Sequence, residues 1–215
     1  MTTADAYVAY THRFFRRWLP VYDLFALPIF WAYRAVTRSV APRPGLRVLD
    51  ICTGTGEVAL RCARGGADVT GIDLTPEMLD RAHRKLDPLR VELVEMDARN
   101  IRFPTAGFDV AVLSLALHDM PRQARLQVLA EALRVARSKV VVLDYELPQG
   151  LFGRLLARLI ATFETAYFRP FLAAGGVGRV ISELGFEAER TTLSPFFAIY
   201  VIETAVQPTD QENRP

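Results

Sequence analysis

The chain has 215 residues, of which 51% are hydrophobic and 23% are charged, with a formal net charge of +2. These values are typical of one globular domain, and a nearly neutral charge gives no indication of a nucleic-acid partner. Two cysteines are too few for a disulfide framework or a zinc cluster. The first residues lack a signal-peptide pattern, and the longest uncharged apolar run, Leu24 to Tyr33, is shorter than the roughly 20 residues that span a bilayer. We therefore expect a cytoplasmic protein, soluble or peripheral to a membrane.

Strand and helix patterns alternate along the chain from Leu46 to about Pro148. Five apolar segments predict strands, and they are RVLDIC, ADVTGIDL, RVELVEMD, DVAVLSLA and KVVVLDYEL. The segments between them that predict helices are GEVALRCARG, TPEMLDRAHRKL and PRQARLQVLAEALRVA. A further helix is predicted from Gly175 to Gly185, followed by a terminal hairpin that is broken at Pro195. This alternation predicts a parallel sheet with helices on both faces.

Two aromatic-rich segments flank the predicted sheet. Residues 1–44 are predicted to form a helical cap, and residues 151–174 a lid helix inserted into a domain that spans 45–207. Apolar positions in the lid follow helical spacing from 151 to 167, which suits either a helix packed on the sheet edge or a cover over an apolar ligand. In the cap, arginines beside Phe14 and Phe15 fit an interfacial membrane helix, but a solvated basic face is the favoured interpretation. The tail 208–215 is predicted to fray.

The segment VLDICTGTGE, Val48 to Glu57, combines a buried strand, a glycine turn and a helix start. It satisfies the loose dinucleotide fingerprint G-x-G-x-x-G/A. However, Asp50 and Glu57 flank the turn, and two carboxylates oppose a diphosphate while they suit a ligand that carries an ammonium or a sulfonium. Asp73 and Asp97 end the next two predicted strands, at the edge of the sheet where ligands bind. The pattern therefore favours a cationic ligand over a dinucleotide.

Five phrases of the sequence carry a family resemblance. In order and spacing, VLDICTGTGE, GIDLTPEML, VEMDARNIRFP, FDVAVLSLALHDM and VVVLDYELP resemble the motifs of class I S-adenosylmethionine-dependent methyltransferases. The TGTG turn and the third phrase are most similar to the ubiquinone and menaquinone biosynthesis branch. The resemblance implies an α/β fold, a Rossmann-like sheet of seven strands in the order 3-2-1-4-5-7-6 with strand 7 antiparallel. It also implies S-adenosylmethionine as cofactor, S-adenosylhomocysteine as product, and no metal.

The resemblance also implies roles for residues at the strand ends. Asp50 is expected to support the turn and the methionine ammonium, and Asp73 to bind the ribose hydroxyls. Asp97 is expected to bond the adenine amine. The implied cofactor-binding residues are Asp50, Thr53, Gly54, Thr55, Gly56, Asp73, Leu74, Asp97, Ala98, Ser114 and Leu115. The chain departs from the family at two places. Cys52 stands where relatives often carry glycine. Residues 136–139 stand where many relatives have a proline-glycine-glycine turn, and we expect these residues to form a loop behind the sheet.

Methyl transfer from a sulfonium needs alignment more than side-chain chemistry, because the cofactor already carries the activation. A general base is required only when the acceptor arrives protonated. His118, after the fourth strand, is the candidate base, and a structural hydrogen-bonding role is its alternative. The residues predicted to line the acceptor pocket are Tyr22, Tyr145, Phe163 and Tyr167.

The predicted function is methyl transfer to a small, apolar or aromatic acceptor similar to a quinone precursor. One alternative is a phospholipid or amine methyltransferase at a membrane surface, with peripheral membrane contact. An alternative from another class is a nicotinamide-dependent oxidoreductase that uses the glycine fingerprint. The third alternative is a scaffold that binds the cofactor and catalyses no reaction.

Overall fold

The structure is a computed structural model, and it describes residues 3–18, 29–87, 89, 91–148, 150–162 and 164–204. Two predicted acceptor-pocket residues, Tyr22 and Phe163, lie outside the described residues, as does the predicted tail 208–215. The cap segment 1–44 is described in part, and its boundary with the domain 45–207 stays a prediction.

Seven strands form one sheet in the order β3-β2-β1-β4-β5-β7-β6. Strand β7 runs antiparallel to β5 and β6, and the other neighbours are parallel. The predicted fold is therefore confirmed. The strands are β1 (Arg47–Ile51), β2 (Asp68–Asp73), β3 (Val91–Glu95), β4 (Phe108–Ser114), β5 (Ala136–Tyr145), β6 (Glu189–Ser194) and β7 (Phe197–Glu203).

The direction of strand order reverses between β1 and β4. The chain moves outward from β1 through β2 to β3, and then returns to place β4 on the other side of β1. In open α/β sheets, the loops that follow such a pair of strands separate and leave a crevice at the carboxyl ends. The topology thus puts the turn after β1 and the loop after β4 on opposite sides of one crevice.

Helices cover both faces of the sheet. Helices α2, α3 and α4 pack on one face, and α5 and α8 on the other. The described helices are α1 (Thr3–Trp18), α2 (Phe30–Val40), α3 (Glu57–Arg64), α4 (Pro76–Leu86), α5 (Arg122–Val135), α6 (Leu151–Ile160), α7 (Phe168–Ala173) and α8 (Gly176–Glu183), with a 3-10 turn at Leu117–Asp119. Central strands are consequently apolar on both sides, and residues 140–143 of β5 are fully buried. Within the described residues, none of these helices combines the length and apolar character required to cross a bilayer.

Two local predictions are wrong. Helix α6 ends at Ile160, although the helical spacing of apolar residues continues to 167. The turn that follows lets Glu164 accept a hydrogen bond from the Tyr145 hydroxyl at 3.0 Å, a tertiary contact that helical spacing does not encode. Residues 136–139 form no loop behind the sheet, because β5 already begins at Ala136 and pairs with Phe108.

Candidate functional site

One cavity of about 930 Å³, measured with its open mouth, lies at the carboxyl ends of β1, β2 and β4. Its size is within the range of small-molecule sites. Ten of the eleven predicted cofactor residues line it, namely Asp50, Thr53, Gly54, Thr55, Asp73, Leu74, Asp97, Ala98, Ser114 and Leu115. Gly56 does not line the cavity. It lies in the left-handed region at the start of α3, where a Cβ would come within 2.9 Å of Leu86, so its packing explains the glycine.

Asp50 holds the turn after β1. It is 1% exposed, and its Oδ2 accepts hydrogen bonds from the Thr53 hydroxyl at 2.6 Å and the Ala59 N–H at 3.1 Å. Ala59 belongs to the first turn of α3, where backbone N–H groups have no helical partner. A carboxylate of the protein thus occupies the kind of helix N terminus that binds a diphosphate in dinucleotide folds. Burial raises the pKa of Asp50 to about 7 despite the two hydrogen bonds.

Asp73, at the end of β2, fixes two turns at once. Its Oδ2 accepts the Gly54 N–H at 2.8 Å, and its Oδ1 accepts the Thr75 N–H at 2.9 Å. Burial raises the pKa of Asp73, although these backbone hydrogen bonds oppose the change. Each carboxylate oxygen can accept a further hydrogen bond, so the side chain retains capacity for ligand hydroxyls. Its role toward a ribose stays a prediction.

Asp97, after β3, forms an ion pair with Arg99, and their Oδ2 and Nη2 atoms are 2.6 Å apart. The guanidinium carbon of Arg99 lies 5.2 Å from the centre of the Tyr7 ring in α1. Burial alone would raise the pKa of Asp97, but hydrogen bonds from Arg99 hold it below its usual value. Arg99 also lines the cavity and was missed in the sequence, where only its position two residues after Asp97 could have indicated it.

Two non-glycine residues at the crevice adopt left-handed backbone conformations. Cys52 follows β1 with φ of 57°, and Leu115 follows β4 with φ of 54°. Both line the cavity. The φ value gives a physical reason for the glycine that relatives often carry where Cys52 stands. Burial, followed by the charge of Asp73, raises the pKa of the Cys52 thiol well above its usual value, so the thiol is not a reactive thiolate.

Helix α1 covers the cavity with one face. Tyr7, Thr11 and Phe15 line the cavity and are spaced four residues apart, which places them on the same side of the helix. Arg13 and Arg16 are exposed. Exposed arginines fit a solvated basic face and an interfacial membrane helix alike, so both interpretations of the cap helix stay predictions. The four-residue spacing is a sequence signal that could have identified these lining residues.

His118 lies behind the cavity wall. It is 3% exposed, its Nδ1 is 2.7 Å from Asp144 Oδ1, and its Nε2 is 3.4 Å from Asp119 Oδ2 and 3.5 Å from Glu164 Oε2. Burial alone would lower the pKa of His118, but the carboxylates of Asp119 and Asp144 raise it well above its usual value. Both ring nitrogens of His118 face carboxylates, an arrangement that stabilises the imidazolium form. The geometry favours its structural hydrogen-bonding role over the role of base.

Asp144 and Arg125 anchor the same network, and sequence reasoning assigned neither of them a role. Asp144 is fully buried and accepts the backbone N–H groups of Leu117, His118 and Tyr145. Arg125 is 4% exposed, and its Nε donates to the Leu117 carbonyl oxygen at 2.9 Å. No local pattern distinguishes Arg125 from the other arginines of α5, because its partners come from distant segments.

The two described residues predicted for the acceptor pocket do not line the cavity. The Tyr145 ring packs against His118, with the ring centres 4.8 Å apart. The Tyr167 ring packs edge-on against the Tyr7 ring, with the ring centres 6.1 Å apart. Both residues therefore support the wall of the cavity rather than form it.

Comparison with known proteins agrees with this geometry. A family model described as a methyltransferase domain matches residues 48–139, which span β1 to the start of β5. This match, together with the fold, supports a class I S-adenosylmethionine-dependent methyltransferase. A demethylmenaquinone methyltransferase of Thermus thermophilus is 34% identical over 147 residues, which make up 62% of this chain and 66% of the relative.

Two further similarities bear on length and fold. An uncharacterized protein of Mycobacterium tuberculosis is 35% identical over 137 residues, which make up 62% of this chain and 47% of the relative, so the chain spans about half of that relative's length. The magnesium protoporphyrin IX methyltransferase of Synechocystis, solved with bound S-adenosylhomocysteine, has the same fold. Its TM-score is 0.66 at 16% identity, with 92% of this chain and 99% of that chain covered.

The cavity suits a cofactor that carries hydroxyls, an ammonium and a sulfonium. Five acidic residues and one arginine line it, which favours a cationic ligand. Among the described residues, the buried Ser114 Oγ at the end of β4 has no hydrogen-bond partner. Because buried polar atoms are rarely left unpaired, a ligand in the cavity is the natural partner for it. Fold, family and cavity thus support S-adenosylmethionine as the cofactor.

Proposed function

We propose that this chain binds S-adenosylmethionine and transfers its methyl group to a small aromatic acceptor of the quinone-precursor class. The observation that carries the proposal is the contact between the Asp50 carboxylate and the Ala59 N–H. The Asp50 side chain occupies the helix N terminus that a nicotinamide dinucleotide needs for its diphosphate.

Different residues around the crevice bind different parts of the cofactor. The turn of Thr53 to Gly56 presents backbone to the methionine portion, and Asp73 offers carboxylate oxygens to the ribose. Asp97, fixed by Arg99, and the backbone of Ala98 lie where the adenine is expected. When bound, the sulfonium supplies an activated methyl group, and the protein aligns the acceptor with it and excludes water.

The proposed acceptor class rests on the part of the cavity beyond these residues. Tyr7 and Phe15 of α1 and Met120 after the 3-10 turn give this part an apolar and aromatic lining. Such a lining suits a planar ring. The demethylmenaquinone methyltransferase among the relatives supports a quinone-like ring as the acceptor.

Calorimetric titration with S-adenosylhomocysteine tests the proposal. We expect the wild type to bind it and Asp73→Ala to bind it at least about tenfold more weakly, which corresponds to about 1.4 kcal/mol. Asp68→Ala is the matched control, because Asp68 is an exposed residue at the opposite end of the same strand. We expect this control to bind like the wild type. A folded wild type that binds the reduced nicotinamide dinucleotide and not S-adenosylhomocysteine would contradict the proposal.

A further inference from the structure

Asp119 connects the cavity with the buried network around His118. It ends the 3-10 turn, its side chain is 11% exposed, and it lines the cavity. Among the described residues of this network, His118, Glu164 and Asp144 do not line the cavity. Asp119 is therefore the network's point of contact with a bound ligand.

The network contains one more carboxylate than it has cations to balance. Three carboxylates, those of Asp119, Asp144 and Glu164, face two cations, the His118 imidazolium and the Arg125 guanidinium. Isolated charges are strongly disfavoured inside a protein, so the unbalanced carboxylate has a high affinity for a proton.

The hydrogen bonds show which carboxylate is left over. Asp144 receives three backbone N–H groups and His118 Nδ1. Glu164 receives the Tyr145 hydroxyl. The Oδ1 atom of Asp119 is buried and has no hydrogen-bond partner in the described part of the chain. Asp119 is the carboxylate with unused acceptor capacity, and it is the one at the cavity.

We propose that Asp119 is the general base that takes the hydroxyl proton of a phenolic acceptor. This inference rests on the proposed methyl transfer. The proton passes from the acceptor oxygen to the Asp119 carboxylate, and the electron pair of the phenolate attacks the methyl carbon from oxygen or from the ring carbon it activates. The bond between methyl carbon and sulfur breaks, and its electron pair stays on sulfur as neutral S-adenosylhomocysteine. In transfer to carbon, the ring C–H proton leaves afterwards to water.

The groups that face Asp119 come from several elements. They are His118 on the same turn, Glu164 and Thr165 after α6, Asp144 and Tyr145 of β5, Arg125 of α5, Tyr7 of α1, and Cys52 after β1. Burial raises the pKa of Asp119, the His118 charge opposes this change, and the Glu164 charge adds to it. The net result is a pKa of about 7, which suits a base that works near neutral pH.

The test compares two acceptors that differ in acidity, 1-naphthol and 4-nitrophenol, with methyl-labelled S-adenosylmethionine. We expect Asp119→Asn to lower kcat for 1-naphthol by about 100-fold, a typical loss for a general base. The loss for 4-nitrophenol is expected to be less than about tenfold when both phenols are assayed at a pH well above the pKa of 4-nitrophenol, because this phenol is then largely ionised and needs no base. In the wild type, kcat for 1-naphthol should rise with pH as Asp119 ionises, and this rise should be absent from Asp119→Asn.

Controls separate this inference from the proposed function. S-adenosylhomocysteine should bind Asp119→Asn and the wild type with affinities within about twofold, and the exposed-site variant Asp68→Asn should keep wild-type kcat values. Equal losses for the two phenols would mean that Asp119 only supports the structure, and would overturn the inference. An unchanged kcat would overturn it too. A wild type that binds S-adenosylhomocysteine but methylates neither phenol would also overturn the inference. A wild type that fails to bind S-adenosylhomocysteine would instead count against the proposed function.

Discussion

The two sides of the crevice are built in different ways. On the side of β1 and β2, buried acids hold backbone N–H groups and hydroxyls of neighbouring turns, as Asp50 does with Thr53 and Ala59. On the side of β4 and β5, Asp144 holds a buried imidazolium and two N–H groups that lie 26 or 27 residues away in sequence. We call these the cofactor side and the acceptor side.

The difference shows where specificity can vary without loss of the cofactor. The cofactor side is closed by contacts within and between two adjacent strand ends, so it can remain constant while the rest of the chain changes. The acceptor side requires the 3-10 turn, α5, β5 and the segment after α6 to meet. A change in any of these elements alters the surroundings of Asp119 and leaves Asp50 and Asp73 in place.

The largest expected effect is on the acceptor side, for Asp144→Asn. This substitution removes the charge that pairs with the His118 imidazolium, and its amide N–H groups face N–H donors. Breaking a buried ion pair typically costs about 3–5 kcal/mol, and here the cost includes the buried N–H donors of the 3-10 turn that lose a carboxylate acceptor. We expect a loss of this size in the free energy of unfolding, measured by urea denaturation at neutral pH.

Asp68→Asn serves as the reference for this measurement, because its exposed side chain should keep the unfolding free energy within about 0.5 kcal/mol of the wild type. If the free energy of unfolding of Asp144→Asn were within about 1 kcal/mol of the wild-type value, the buried ion pair would not be what stabilises the acceptor side.

A smaller effect with a distinct pH dependence is expected on the cofactor side, for Asp50→Asn. The pKa of Asp50 is raised from 3.8 to about 7 in the folded protein, so between these values the folded state binds a proton that the unfolded state has released. The Asp50 contribution to stability is therefore greatest at low pH and is lost as pH rises to about 7. Asparagine does not titrate and removes this dependence.

Urea denaturation of the wild type and Asp50→Asn across a series of pH values measures this pH dependence of stability. Near pH 4, we expect Asp50→Asn to be less stable than the wild type by about 1–2 kcal/mol, because the geometry of two hydrogen bonds changes. The gap should narrow and then change sign as pH rises to about 7, because the wild type loses more than this amount of stability over the range and the asparagine variant does not. A gap that stays constant over this range would show that Asp50 is ionised throughout.

Sequence reasoning predicted which residues of the cofactor side lie together, because the contacts of this side are local; their role toward the cofactor stays a prediction. The turn after β1 and the acids at successive strand ends have fixed spacings in the sequence, and ten of the eleven predicted residues line the cavity. Strand order followed from the same motifs. The residues of the acceptor side have no fixed spacing in the sequence, because Arg125 and Glu164 come together only when distant elements pack. His118 was visible in the sequence, but its burial behind Asp119 was not.

The smallest effect concerns the backbone at the crevice, and the two cysteines provide a matched comparison. Cys52 has φ of 57°, while Cys62 is buried within helix α3. A left-handed conformation costs a residue with a side chain about 1–2 kcal/mol, and glycine does not bear this cost. We therefore expect Cys52→Gly to be more stable than Cys52→Ala by about 0.5–1 kcal/mol, after the greater flexibility of glycine in the unfolded chain is subtracted.

At Cys62 the order should reverse. Glycine inside a helix is less favourable than alanine by about 1 kcal/mol, so Cys62→Gly should unfold at a lower urea concentration than Cys62→Ala. All four variants lose the thiol, and within each pair the two variants differ by a single methyl group, so opposite signs at the two positions report the backbone conformation. If the stability difference between the glycine and alanine variants had the same sign at both positions, the backbone at Cys52 would be unstrained. Glycine at this position in relatives would then serve the approach of the ligand rather than the conformation of the turn.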